Sequence, residues 1–142
     1  MKKYLLLLLA IPLFTGCSGD DYNFRNPYLP DYNFNAIIDM SLPLYNQLQF
    51  TGNPVLINTQ GYGINGIIVM NTGSGYNAFE ASCPNQELTN CSQLDIDGIM
   101  AICPCDEVEY SLFNGLANSD VQYSLKPYRI EIMGPTMIRV YN

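Results

Sequence analysis

From Ala36 onward the chain is a series of short runs in which apolar and polar residues alternate, each run closed by turn residues. Residues 36–42, AIIDMSL, set Ile38, Met40 and Leu42 two apart, the period of a strand with one covered face. QLQF (47–50) and PVLIN (54–58) read as two further strands divided by the turn TGN. GINGIIVMN (63–71) is mostly apolar, the pattern of a central strand, and NTGSG then turns the chain into YNAFEAS (76–82). QLDIDGIMAIC (93–103) reads as a hairpin about Asp97-Gly98, a type I′ signal. EVEYSLF (107–113) is followed by an Asn-Gly turn, and PYRIEIMG (127–134) and MIRVYN (137–142) meet at Gly134-Pro135. No stretch from 36 to 142 has the period of an amphipathic helix. Short strands with closely spaced turns predict an all-β, antiparallel small sandwich or barrel.

The front of the chain departs from this pattern. Lys2 and Lys3 precede an apolar run, Tyr4–Phe14, that is too short to span a bilayer and suits the core of an export signal. Thr15 and Gly16 then lead into Cys17, an order that resembles the lipobox of bacterial lipoproteins, although Phe14 stands where leucine is commoner. The resemblance implies that residues 1–16 are a signal peptide, that Cys17 is lipidated, and that the protein is held on a membrane without crossing it. The following SGDD resembles the surface-export signal of some such lipoproteins. The expected location is therefore the bacterial cell envelope, with the outer membrane favoured and its periplasmic or surface face open. Residues 17–35 read as the lipidated cysteine and a tether, because acidic residues and prolines interrupt any period there; DYNF occurs twice, at 21–24 and 31–34, as a chance echo. One domain, 36–142, follows.

Charge and cysteine content narrow the function. Without residues 1–16, four basic residues face thirteen acidic ones, a net charge of −9, so a nucleic-acid partner is not expected. Tyr and Asn are plentiful and Trp is absent. Apart from Cys17 the chain has Cys83, Cys91, Cys103 and Cys105, an even set, and in an exported protein two disulfides are the default. Four cysteines allow three pairings. The one containing Cys103–Cys105 is disfavoured, because a bridge across Cys-Pro-Cys is strained.

The cysteines sit in two loops, ASCPNQELTNC (81–91) and CPCDEVEYSLFNG (103–115), on either side of one hairpin that brings them together at one end of the sheet. These loops resemble those of the Rieske domain, which binds a 2Fe-2S cluster through Cys-x-His in one loop and Cys-x-x-His in the next. The resemblance covers about Gly66 to Ile132 and includes Cys103-Pro104-Cys105, Tyr110 with Gly115, and Leu125 with Tyr128. It implies that Cys83 and Cys103 correspond to the ligand cysteines, Asn85 and Asp106 to the two histidines, and Cys91 with Cys105 to a disulfide that supports the cluster. Both histidines are missing; the chain has none. Cys83 and Cys91 lie further apart than the family's spacing, and Glu107-Val108 replaces its usual Gly-Ser. An asparagine amide oxygen and a carboxylate are poor replacements for imidazole on the outer iron. The resemblance then implies that Cys83 and Cys103 bridge each other while Cys91–Cys105 is kept; the crossed pairing remains open.

Other candidates are weaker. Asp95, Asp97 and Gly98 lack the rest of a calcium loop, and Asp106, Glu107 and Glu109 read as a solvated acidic edge. Without histidine, and with no evident base for Ser82, Ser92 or Ser111, enzyme activity is not expected. Thiol–disulfide exchange at Cys103-Pro104-Cys105 is a further reading, opposed by its acidic surroundings. The favoured reading is an envelope lipoprotein with a Rieske-like domain, structural cysteines and no cofactor. It would bind or scaffold an envelope protein through the tip, Pro84–Gln86 and Pro104–Glu107. The alternative is a 2Fe-2S electron-transfer protein using Cys83, Cys103, Asn85 and Asp106.

Overall fold

The computed structural model describes residues 25–142, so the signal segment, Cys17 and residues 18–24 lie outside the described residues. Among the described residues the strands are β1 (Asn35–Asp39), β2 (Pro54–Ile57), β3 (Ile67–Asn71), β4 (Tyr76–Glu80), β5 (Asp95–Asp97), β6 (Met100–Ile102), β7 (Glu109–Ser111), β8 (Arg129–Gly134) and β9 (Met137–Tyr141). They pair antiparallel in three sheets of order β1-β9-β8, β2-β3-β4 and β5-β6-β7. No helix among the described residues is long and apolar enough to cross a membrane.

The alternation of side chains along a strand explains the layering. In β3, Ile67 and Val69 point into one core with Ile38, Met40, Ile138 and Val140. Ile68 and Met70 point the other way, into a second core with Ala101, Tyr110, Leu112, Cys83 and Cys103. All four of these β3 residues are fully buried, which is why GIIVM reads as apolar throughout. The β2-β3-β4 sheet is thus covered on one face by β1 and β9 and on the other by the β5-β6-β7 sheet and the cysteine loops. Its edge is joined to the segment before β8 where Tyr128 N donates to Ala78 O at 2.8 Å and Glu80 N donates to Lys126 O at 2.9 Å.

Local departures from the sequence reading have local causes. QLQF is no strand: Asn46–Gln49 is a 3-10 helix whose Leu48, with Tyr45 just before the helix and three residues away, faces the first core, while Phe50 just after it is exposed. The apolar strand begins at Ile67, because Gly63–Gly66 curls around a buried carboxylate. The β5–β6 hairpin pairs Asp97 with Met100, so its loop is Gly98-Ile99; Gly98 alone has a positive φ, 58°, the sign pattern of a II′ turn rather than I′.

Residues 25–34, placed in the tether by the sequence, lie against the domain. Leu29 is buried, and Lys126, 2% exposed, donates from Nζ to Leu29 O, Pro30 O and Asp31 Oδ1 at 3.3, 3.1 and 2.5 Å. A lysine carries three donors, and all three are used. The hydrogen bond from Lys126, and then its charge, hold the Asp31 carboxyl below its ordinary value.

Candidate functional site

The two cysteine loops close over the second core. In the first, Cys83 N donates to Ser92 O at 2.7 Å and Leu94 N to Ala81 O at 2.8 Å, folding residues 81–94 back on themselves. In the second, Cys103 N donates to Val108 O at 2.9 Å, Glu107 N to Cys103 O at 2.8 Å, and Val108 N to Asp106 Oδ1 at 3.1 Å. This tight ring needs a left-handed residue, and Glu107 supplies it at φ 59°. A side chain in that region costs about 1 kcal/mol, so Glu107→Gly is expected to raise stability by up to about that amount in urea denaturation.

The structure joins Cys83 to Cys103 and Cys91 to Cys105, with Cα separations of 5.5 and 5.3 Å. The bridges differ in environment: Cys83 and Cys103 are fully buried, whereas Cys105 is half-buried and Cys91 exposed. Cys83, Cys103 and Cys105 bring their sulfurs within 4.8 Å of one another, and among the described residues no other group of three such ligand side chains is gathered.

Asn85, at the position of the family's first histidine, is turned inward. Its Nδ2 donates to Tyr110 Oη at 2.9 Å and Tyr123 O at 2.8 Å, and its Oδ1 accepts from Tyr123 N at 2.8 Å. Burial pushes the Tyr110 hydroxyl pKa up, the Asn85 hydrogen bond acts against this, and the Asp106 charge adds to the rise. Pro84 is fixed as well, since buried Asn26 donates to Pro84 O at 2.6 Å. Asp106 is exposed and caps Val108 N.

These residues do not fit a 2Fe-2S cluster in this arrangement. Both sulfur ligands are spent on each other, the Asn85 oxygen faces a backbone N–H, and Asp106 closes its own turn. The remaining candidates stay apart: Glu109 accepts from Asn118 at 2.6 Å, Asp95 and Asp97 are exposed on β5, Ser92 bonds within its own loop, and Ser111 Oγ accepts from Phe113 N.

One group was missed by the sequence reading. Glu80 is fully buried at the end of β4, and its carboxylate accepts four hydrogen bonds. The donors are Ile64 N (2.7 Å), Asn65 N (3.1 Å), Ser82 Oγ (2.8 Å) and Tyr128 Oη (2.6 Å). Gly63 is required beside it, since a Cβ there would lie 2.6 Å from Glu80 Oε2. Burial first, and the Glu80 charge next, push the Tyr128 hydroxyl far above its ordinary pKa. The folded state therefore holds this proton where the unfolded chain releases it. The resulting stability is complete below the ordinary tyrosine range and falls as pH rises above it. Tyr128→Phe is expected to flatten the alkaline limb of a stability–pH curve, measured by urea denaturation above about pH 10.

Comparison with known proteins bears on the fold. No protein-family model matches the chain, and no curated protein sequence does. Among solved structures, a quaternary ammonium Rieske monooxygenase superposes with a TM-score of 0.50 at 16% identity, over 78% of this chain and 32% of that one. A Mycobacterium tuberculosis protein described as the small subunit of an NADH-dependent nitrite reductase matches with a TM-score of 0.48 at 17% identity, over 79% and 97% of the two chains. The ferredoxin of carbazole 1,9a-dioxygenase from Nocardioides aromaticivorans gives 0.45 at 14%, over 78% and 97%. The chain has the Rieske-like fold, and disulfides join the cysteines of its two tip loops.

Proposed function

We propose that this protein is a lipid-anchored envelope protein whose Rieske-like domain serves as a binding or scaffolding module, with the four loop cysteines as structural staples. The reading is supported chiefly by the closed tip: the Cys83–Cys103 bridge and the inward Asn85 occupy the positions at which the family holds metal. Of the expected tip, Pro84 is buried and Asn85 and Gln86 are half-buried, which leaves Pro104, Asp106 and Glu107, with neighbouring Leu88, exposed on a backbone fixed by two bridges, so a partner would meet a preorganised surface with little ordering cost. An acidic surface with a rigid proline-bearing loop favours a protein partner carrying basic groups. The anchor rests on Lys2, Lys3, the apolar run and Cys17.

Two measurements test this. Intact mass of the membrane-extracted protein should fit a chain beginning at Cys17 with fatty acyl chains, and Cys17→Ser should abolish both acylation and membrane retention. An unacylated, soluble product would remove the anchor. For the tip, a photo-crosslinking residue at Glu107 should give a discrete protein adduct in intact cells, and one at Thr136, on the β8–β9 turn, should not. Equal labelling from both positions would remove the docking reading.

A further inference from the structure

Going beyond their role as staples in the resting protein, we propose that the four cysteines also form an ordered thiol relay, in which the exposed Cys91–Cys105 bridge exchanges with an external dithiol and Cys105 then transfers the exchange to the buried Cys83–Cys103 bridge. Three observations carry it. The buried bridge is closed to solvent at both sulfurs, so a bulky reductant has no direct approach. The other bridge is exposed at Cys91. Cys105, half-buried between the two environments, has its sulfur within 4.8 Å of both Cys83 and Cys103.

The chemistry follows from which sulfur can be reached. A thiolate of the external dithiol attacks Cys91 Sγ; the Cys91–Cys105 bond breaks and Cys105 leaves as a thiolate. Thr89 Oγ lies 3.2 Å from Cys91 Sγ and 3.6 Å from Cys105 Sγ, placed to donate a hydrogen bond to the departing sulfur. The second thiol of the reductant resolves the mixed disulfide, so the reductant becomes a disulfide and Cys91 a thiol. Two electrons have entered the protein.

Cys105 thiolate then attacks Cys83 Sγ. A Cys83–Cys105 bond forms, the Cys83–Cys103 bond breaks, and Cys103 leaves as a thiolate that takes up a proton from solvent. No net electrons move in this step. Attack on Cys103 instead would give the strained bridge across Pro104, so Cys83 is the acceptor. The new bridge includes the half-buried Cys105, which a second equivalent of dithiol can reach. The intramolecular step benefits from proximity that no external thiol has.

The discriminating experiment compares Cys91→Ser with Cys105→Ser in the full chain. Both lose the same bridge and the same loop constraint, and Cys17 is common to both; only Cys91→Ser retains the relay sulfur. Each is treated with dithiothreitol, quenched in acid, alkylated and mapped by mass spectrometry. The relay predicts a Cys83–Cys105 species in Cys91→Ser, and loss of Cys83–Cys103 about tenfold or more faster than in Cys105→Ser. Equal rates with no Cys83–Cys105 species would overturn it. Should either variant fail to fold, limiting dithiothreitol on the wild-type chain decides the matter. Cys91 must become alkylatable first and Cys83–Cys105 must precede full reduction. Opening of Cys83–Cys103 before or together with Cys91–Cys105, and without that species, would refute the relay.

Discussion

Replacing Cys83 and Cys103 together by alanine is expected to lower stability by about 4 kcal/mol. Two terms add. The bridge closes a loop over a separation of 20 residues, which in the chain-entropy account contributes about 3 kcal/mol. Both sulfurs are also fully buried in the second core, so their removal leaves space that the surrounding Ala81, Leu94, Ala101 and Tyr110 fill only in part. Replacing Cys91 and Cys105 removes a bridge with a separation of 14 residues at the surface, and only the loop term of about 3 kcal/mol applies. Urea denaturation without reductant measures both, and the midpoint of the buried-pair variant should fall by about 2 M. A loss under about 1 kcal/mol for the buried pair would mean that the bridge contributes little to the fold.

The second large effect is expected at Glu80. Glu80→Ala leaves Ile64 N, Asn65 N, Ser82 Oγ and Tyr128 Oη without their acceptor. A buried donor left unpaired costs about 1–3 kcal/mol, and partial entry of water makes the four less than additive, so a total of about 4 kcal/mol is expected. Glu80→Gln keeps one acceptor oxygen but turns an amide NH2 toward donors, and about half that loss should follow. The loss should be accompanied by faster amide exchange at Ile64 and Asn65, since their hydrogen bonds to Glu80 hold the segment before β3. Unchanged exchange at those two amides would show that the loop is held by something else.

The contrast between these two sites explains how far the sequence could be read. The β8–β9 hairpin was legible because Ile138 and Val140 alternate strictly with exposed or half-buried neighbours. β3 was legible because a strand covered on both faces must be apolar at every position. The cysteine loops were legible as a pair because the β5–β6 hairpin between them fixes their proximity. Glu80 was not legible, since in YNAFE it follows the buried Phe79 like the outward member of an alternation, and of its four donors only Ser82 is a near neighbour; Asn65 and Ile64 lie fifteen and sixteen residues before it and Tyr128 forty-eight after. The 3-10 helix at Asn46–Gln49 was hidden because a period of three in four residues cannot be told from a period of two. The packing of residues 25–34 depends on Lys126, whose partner Asp31 is 95 positions away, beyond the reach of any local pattern. Asn85 stands out by sequence only as a missing histidine, and its bond to Tyr110 is a product of the folded tip.

The most direct measurement is the state of the four loop sulfurs in protein isolated without reductant, both in air and under nitrogen. Cleavage after Glu87 separates Cys83 from Cys91, and electron-transfer fragmentation resolves Cys103 from Cys105. The account predicts Cys83–Cys103 and Cys91–Cys105, with none of the four alkylated and no iron or acid-labile sulfide in either preparation. Four alkylated cysteines, or iron and sulfide near two each per chain in the anaerobic preparation, would contradict it.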